Sequence, residues 1–261
     1  MCKIKAIFFD IYDTLYSTSK FAHTARRSSI EAMIKRGLLN VTVDQCMEEL
    51  QEVISEFGSN CGHHYDLLLR RLPKECCQHN NPMIIIAAGV TEYNIIKNRI
   101  LKPYKEVTDF FKKIQKANNI TLGVISEGIT MKQADKLMRL GLLDYFDPNY
   151  IFITDRIGIG KINPKLYQNI CTKVNIDPNL CMNVGDNPLM DIDPANKIGM
   201  TTVLVKGGEK SKHMGETEPD HVVSGMLELL DVLEKKYDIP IGQKSLYEKI
   251  FNKINRNEKS K

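Results

Sequence analysis

Short apolar runs along the chain alternate with segments in which apolar residues recur every three or four positions. The runs have the length of strands, and the intervening spacing is typical of helices with one buried face, as at Met131, Ala134, Leu137 and Met138. Strands that alternate with helices predict a parallel sheet with crossover helices, an α/β Rossmann-like core. The predicted strands are residues 4–9, 120–125, 150–153, 181–184 and 201–205.

The first and second predicted strands are separated by about 100 residues, far more than one crossover helix needs. This interval has helical patterns of its own at residues 21–36, 43–57, 65–72 and 90–100. We therefore predict an inserted α-helical cap domain at residues 17–103, a core of residues 1–16 and 104–237, and a basic C-terminal extension, 238–261. Hinges are expected near residues 16–20 and 101–104, and such a lid can exclude water and select the substrate.

Four polar side chains are predicted to meet at one edge of this sheet. Asp10 ends the first apolar run, Ser126 follows the second, Lys161 lies before a predicted helix, and Asp186 follows the fourth run. Ligands of parallel sheets bind outside the carboxyl ends of the strands. This edge is the predicted active site.

Composition narrows the class of protein. The 261 residues are 43% hydrophobic, enough for a core domain with an insertion, and the net charge is +4. No apolar stretch is long enough to span a bilayer, and the first strand leaves no room for a signal peptide, so we expect a cytoplasmic enzyme with no membrane partner.

Much of the positive charge lies in the final segment rather than on a basic stripe, so we expect no nucleic-acid partner. Leu246, Ile250 and Ile254 predict a short amphipathic helix there.

The seven cysteines are odd in number and form no CxxC pair, which favours reduced thiols. Cys76 and Cys77, near His79, have an alternative interpretation as a metal or redox cluster. Without a second ligand pair, we favour a polar connection within the cap.

The polar residues and the segments that carry them, IFFDIYDTL, ITLGVISEG, GIGKINPKLY and CMNVGDNPLMD, resemble the haloacid dehalogenase (HAD) superfamily. The similarity extends over roughly residues 3–235 and is strongest to archaeal phosphatase-like members with a helical cap after the first strand. It implies that Asp10 is the nucleophile and forms an aspartyl-phosphate. It also implies that Thr14 orients the nucleophile loop and that Lys161 neutralises charge at the phosphoryl group, with Lys165 as the alternative lysine.

The resemblance also implies a phosphate-binding turn and a magnesium site. Ser126 would donate to a phosphoryl oxygen, and Glu127 and Gly128 would let backbone N–H groups approach it. The expected Mg²⁺ ligands are the carboxylates of Asp10 and Asp186 and the main-chain carbonyl of Tyr12. Asp191 would anchor Lys161 or a metal-bound water.

Tyr12 departs from the superfamily pattern, which has a second Asp at this position as the general acid and base. Tyrosine at this position resembles the 2-haloacid dehalogenases, whereas Asp186 resembles the phosphatases. We predict a magnesium-dependent phosphatase of small phosphorylated metabolites, with glyceraldehyde 3-phosphate and phosphoglycolate as the implied substrates. A metal-independent dehalogenase and a catalytically weak binding protein remain open. Candidate substrate contacts in the cap are His63, His64, Tyr65, Arg71, Arg26 and Arg27.

Overall fold

The computed structural model describes residues 4–78, 80–117, 120–208 and 210–241. The chain forms two compact units, one of Met1–Ser17 with Pro103–Lys261, and one of Thr18–Lys102. The predicted helix at residues 246–254 and His79 lie outside the described residues.

The first unit is built on a six-stranded sheet in the described part of the chain. Its order is β3-β2-β1-β4-β5-β6, and every neighbouring pair is parallel. This confirms the predicted α/β class. The strands are β1 (Ala6–Phe9), β2 (Thr121–Ser126), β3 (Ile151–Ile153), β4 (Cys181–Gly185), β5 (Thr201–Val205) and β6 (His221–Val223).

Both faces of the sheet are covered, which explains why its strands are apolar throughout rather than alternating. Successive side chains of β1 point to opposite faces. Phe8 packs into a cluster with Tyr167 and Leu166, and Phe9 contacts the rings of Phe110 and Phe111 edge-on. The helices of this unit are α5 (Lys105–Ile114), α6 (Thr130–Arg139), α7 (Thr154–Ile157), α8 (Pro164–Val174), α9 (Asp193–Asn196) and α10 (Met226–Tyr237), and the four helices that precede them in sequence belong to the second unit.

The second unit is helical in its described residues, with α1 (Thr18–Lys35), α2 (Val43–Phe57), α3 (His64–Arg71) and α4 (Pro82–Ile100). Helix α2 begins with a capping box, in which Thr42 and Gln45 satisfy each other's backbone N–H groups. Helix α4 begins eight residues before the pattern that predicted it, because Asn81 caps it and Pro82 occupies its first position.

Two details of the first unit differ from the sequence pattern. Strand β6 has three residues and was not predicted. On α6, Met131 and Met138 are exposed, whereas Gln133 and Leu137 are buried. Among the described helices, none combines the length and the apolarity that a membrane crossing requires.

Candidate active site

The predicted polar residues meet at the carboxyl edge of the sheet. Asp10 follows β1 and its backbone N–H donates to the Val184 carbonyl at 2.9 Å, which ties the ends of β1 and β4 together. Ser126 is the last residue of β2, and Asp186 follows β4 directly. Lys161 lies in the connection between α7 and α8 and reaches the same place.

Lys161 forms a buried ion-paired centre. Its Nζ donates to Asp10 Oδ1 at 2.9 Å and also pairs with Asp191 Oδ1, while 3% of its side chain is exposed. Burial opposes the charged ammonium, but Asp10 and Asp191 raise the pKa of Lys161 well above its usual value. The alternative residue, Lys165, is exposed and lies in the first turn of α8.

The turn at Pro188–Ile192, which is wound as a π-helix, fixes Asp191. Asn187 N donates to Asp191 Oδ2 at 3.0 Å, and Asn183 Nδ2 donates to the Asp191 carbonyl at 2.8 Å. Residue 185 must be a glycine because the Asp191 side chain approaches its backbone closely, and a Cβ there would lie 2.2 Å from Asp191 Cγ. Because β4 ends in glycine, this carboxylate can pack against the strand.

The carboxylates of Asp10, Asp186 and Asp191 have oxygens within 4.8 Å of one another, and all three residues are buried. Burial, followed by repulsion from Asp10, Asp191 and Asp13, raises the pKa of Asp186 to about 8. Burial also raises the pKa of Asp191 to about 6, although Lys161 opposes this. Among the described residues, Asp186 Oδ2 has no hydrogen-bond partner. A cluster of hard oxygen donors with excess negative charge fits Mg²⁺.

Two buried hydroxyls lie in the segments that carry Asp10 and the β2 tip. Thr14 Oγ1 and Ser126 Oγ have no hydrogen-bond partner within the described part of the chain. The Gly128 N–H, which was predicted to approach the phosphoryl group, donates to Thr154 Oγ1 at 3.1 Å. The Glu127 side chain is exposed, and its carbonyl accepts a hydrogen bond from Gln133 Nε2 at 2.9 Å.

Tyr12 contacts two residues that sequence reasoning missed. Its hydroxyl oxygen accepts from Gln133 Nε2 at 2.7 Å and from Lys136 Nζ. Both donors lie on α6, 121 and 124 residues away in sequence. The sequence offered one signal for Gln133, which lies one turn before Leu137 and therefore on the same face of the helix.

Asp13 was also missed as part of this cluster. It has a positive φ of 49°, and its Cβ lies 2.9 Å from the position that a Cβ on Gly208 would occupy. The same position on Gly208 is 2.5 Å from Asp186 Oδ2. The loop after β5 therefore packs against a fourth carboxylate of the site.

Two of the six candidate substrate contacts in the second unit form ion pairs within that unit. Arg71 pairs with Glu49 at 3.2 Å and with Glu56 at 2.6 Å. Arg27 pairs with Asp44 at 2.8 Å. All six candidates, His63, His64, Tyr65, Arg71, Arg26 and Arg27, stay predictions.

The second unit also contains Cys76, which is buried, and Cys77, which is half-buried. Both are free thiols. The alternative metal or redox cluster there also involves His79, which lies outside the described residues, so it stays a prediction. Among the described residues, the aspartates of the first unit form the potential metal cluster.

Known proteins are similar to this chain over most of its length. The family model for haloacid dehalogenase-like hydrolases matches residues 4–199. A glyceraldehyde 3-phosphate phosphatase of Methanopyrus kandleri is 36% identical over 236 residues, which cover 89% of this chain and 98% of the relative. A protein of the same name from Pyrococcus furiosus is 37% identical over 238 residues, 90% of this chain and 95% of the relative.

Solved structures share the fold. A putative beta-phosphoglucomutase from Thermotoga maritima superposes with a TM-score of 0.66 at 18% identity, covering 89% of this chain and all of that one (100%). A 2-haloacid dehalogenase from Pseudomonas syringae has a TM-score of 0.59 at 23% identity, covering 89% and 99%. The chain is a member of the haloacid dehalogenase-like hydrolase family.

Proposed function

We propose that this hydrolase is a magnesium-dependent phosphatase of small phosphorylated metabolites that works through an aspartyl-phosphate. The observation that carries this proposal is the buried group of Asp10, Lys161, Asp186 and Asp191 at the carboxyl edge of the sheet. Glyceraldehyde 3-phosphate is the candidate substrate to test first, because two of the similar relatives carry that activity in their names.

Asp10 is the proposed nucleophile. Lys161 Nζ donates a hydrogen bond to one oxygen of the Asp10 carboxylate at 2.9 Å and fixes that oxygen in place. Attack of a carboxylate oxygen on phosphorus forms an acyl phosphate and breaks the bond to the leaving oxygen, and water then hydrolyses the acyl phosphate. Positive charge on Lys161 offsets the negative charge of the phosphoryl group, which is the main requirement of phosphoryl transfer.

Thr14 and Ser126 are the proposed anion-binding hydroxyls. Leaving a buried hydroxyl without a hydrogen bond costs about 1–3 kcal/mol. Both hydroxyls lack a partner within the described residues, and a phosphoryl oxygen would supply one. The Gly128 N–H contributes to this role only if it exchanges its bond to Thr154.

Asp10, Asp186 and the Tyr12 carbonyl are the proposed Mg²⁺ ligands, because carboxylate and carbonyl oxygens suit this ion. When bound, Mg²⁺ supplies positive charge that offsets the charge of the carboxylates and of the phosphoryl group. In this proposal Asp191 holds Lys161, since its two oxygens face Lys161 and the Asn187 N–H.

In this proposal Tyr12 has a different role from the Asp that the resemblance to the superfamily implies at this position. A phenol ordinarily stays protonated at neutral pH, so it donates hydrogen bonds but is a poor general base. We therefore infer that Tyr12 orders the site through hydrogen bonds and that turnover is slower than with a positioned carboxylate, which contributes roughly 10²–10⁴ in rate.

The cytoplasmic location that the sequence led us to expect remains a prediction.

The test is phosphate release from a panel of phosphorylated metabolites, with and without Mg²⁺. We expect Mg²⁺-dependent release that Asp10→Asn abolishes, while the control Asp144→Asn, at an exposed position, retains it. Phosphate release in the absence of divalent metal would contradict the metal role. Chloride release from 2-chloropropionate without phosphatase activity would instead establish a dehalogenase.

A further inference from the structure

Gln133 is a fully buried polar residue on α6, with 0% of its surface exposed. Its side-chain amide donates to two segments of the site, to the Tyr12 hydroxyl at 2.7 Å and to the Glu127 carbonyl at 2.9 Å. Its Oε1 accepts from Lys136 Nζ at 3.3 Å, and Lys136 itself contacts the Tyr12 hydroxyl. One amide thus joins the loop that follows Asp10 to the turn that follows Ser126.

The same turn is held from its other side by α7. Gly128 N donates to Thr154 Oγ1 at 3.1 Å, and Thr130 N donates to Asp155 Oδ2 at 3.1 Å. These bonds fix the turn relative to β3 and α7 but do not involve the nucleophile loop. Gln133 bonds both the turn and that loop, and so links the two segments.

An amide at this position has a cost that an apolar residue would avoid. Leu137, one turn later, fills the same buried face with an aliphatic side chain. A buried polar group that loses a partner destabilises the folded state, so Gln133 requires both of its acceptors to stay in place. Satisfied buried polar networks favour one arrangement of the segments that they join.

We propose that Gln133 is a positioning residue that sets the Ser126 turn relative to Asp10 by bonding Tyr12 and the Glu127 carbonyl at once. Lys136 assists by holding the Tyr12 hydroxyl. The inference rests on the proposed function, because it assigns the Ser126 hydroxyl to the phosphoryl group that Asp10 attacks. A misplacement of about 1 Å between such groups lowers the rate by roughly 10²-fold.

The test is a double-mutant cycle of Gln133→Met and Tyr12→Phe. Each change removes the bond between the two side chains, from the donor side or from the acceptor side. We expect each variant to lower kcat roughly 10-fold or more with little change in KM, and the double variant to be no slower than Gln133→Met alone. Met138→Ala, at an exposed position of the same helix, is the control and keeps the wild-type kcat.

Hydrogen exchange of the backbone gives a readout that does not depend on activity. We expect Gln133→Met to speed exchange within residues 126–130 and to leave β4 and β5 unchanged. Strictly additive kinetic effects, or unchanged exchange in that turn, would overturn the proposal. Faster exchange throughout the first unit would assign Gln133 to general stability instead and would also overturn it.

A second variant covers the case in which Gln133→Met does not fold. Gln133→Glu keeps the shape and can still pair with Lys136, but it replaces the donor to the Glu127 carbonyl with an acceptor. It should show the same local increase in exchange, and wild-type exchange would refute the link. If the wild-type enzyme releases no phosphate, the proposed function fails, whereas the exchange experiment still decides whether Gln133 holds the turn.

Discussion

At the residue scale, the site concentrates negative charge around one buried ammonium. Lys161 pairs with Asp10 and Asp191, while Asp186 and Asp13 add further carboxylates. Breaking a buried ion pair by removing one partner costs about 3–5 kcal/mol, because it leaves the other charge uncompensated. Lys161 is therefore important for stability as well as for the proposed chemistry.

Replacing this lysine tests both roles. We expect Lys161→Met to abolish measurable phosphate release and to lower the free energy of unfolding by about 3–5 kcal/mol at pH 8. The loss should be smaller at pH 5, where Asp191 can be protonated. Denaturant unfolding at both pH values measures this. Lys165→Met is the matched control, and an equal effect at that exposed position would contradict the assignment.

The raised pKa of Asp186 should give the stability of the metal-free protein an unusual dependence on pH. An Asp in the unfolded chain titrates near 4, whereas burial and neighbouring acids raise the pKa of Asp186 to about 8. Between these values the folded state binds the extra proton, so the free energy of unfolding should fall as pH rises from 5 to 8. Mg²⁺ should stabilise more at pH 8 than at pH 5, because it competes with that proton.

Thermal unfolding in chelator, measured from pH 5 to pH 8, checks this sign. Asp186→Asn should make the profile flatter and raise stability at pH 8. Asp193→Asn is the control. Burial opposes the ionised form of Asp193, but hydrogen bonds from the backbone N–H groups of Glu216 and Thr217 and from the Thr217 hydroxyl lower its pKa. Asp193 is therefore ionised in both the folded and the unfolded chain from pH 5 to pH 8, and its substitution should leave the slope of stability against pH unchanged. Stability that rises with pH in the metal-free wild type would show that Asp186 is ionised there.

Sequence reasoning identified residues whose position follows from strand order, and it missed those defined by tertiary contacts. Asp10 and Asp186 follow apolar strands, so a parallel sheet brings them together. Gln133 is polar and does not contribute to an apolar pattern, and its partners Tyr12 and Glu127 become neighbours only in the folded chain. The spacing of Gln133 to Leu137 indicates a buried position, but it does not identify Tyr12, 121 residues away, as the partner.

At the element scale, the end of β4 determines the geometry of the carboxylate cluster. The strand ends in Gly185, and the π-helical turn Pro188–Ile192 folds back so that Asp191 lies against that glycine. A side chain on Gly185 would move Asp191 away from Lys161. The glycine is thus required by the approach of a neighbouring side chain rather than by backbone conformation.

Gly185→Ala tests this packing. We expect a loss of phosphate release of roughly 10²-fold, because displacement of Asp191 removes one of the two carboxylates that hold Lys161. Gly160→Ala is the matched control, since a Cβ there meets nothing within 4 Å. Kinetics of both variants, normalised to the folded fraction, give the comparison. Wild-type activity in Gly185→Ala would mean that Asp191 is dispensable.

Element prediction succeeded where the apolar pattern was long or continuous. The five predicted strands are present, β5 with the predicted ends and the other four with ends shifted by one or two residues. Strand β6 was missed because its sequence HVV offers only two apolar residues. On α6 the exposed Met131 and Met138 resembled core positions because methionine is apolar, although the buried face includes Gln133. Tertiary packing decides which apolar residues of a short helix are covered.

At the scale of the whole molecule, the first unit is assembled from two distant parts of the chain. Strand β1 pairs with β2 and β4, which come after the second unit in sequence. The two segments meet where Tyr104 N donates to the Leu15 carbonyl at 3.0 Å. The chain therefore leaves and re-enters the first unit at neighbouring points.

This arrangement predicts that the first unit can fold without the second. Replacing residues 18–102 with a Gly-Ser linker of about six residues should leave a protein that unfolds cooperatively, because the β1 pairings and the Phe9 cluster lie within the first unit. The entropy cost of closing so short a loop is smaller than the cost of closing a loop of the 85 residues removed, Thr18–Lys102. Mg²⁺ should still raise its melting temperature, since Asp10 and Asp186 are retained. Introducing Asp186→Ala into the shortened protein should remove that increase. A shortened protein without a cooperative transition would show that the inserted helices are needed for the sheet to form.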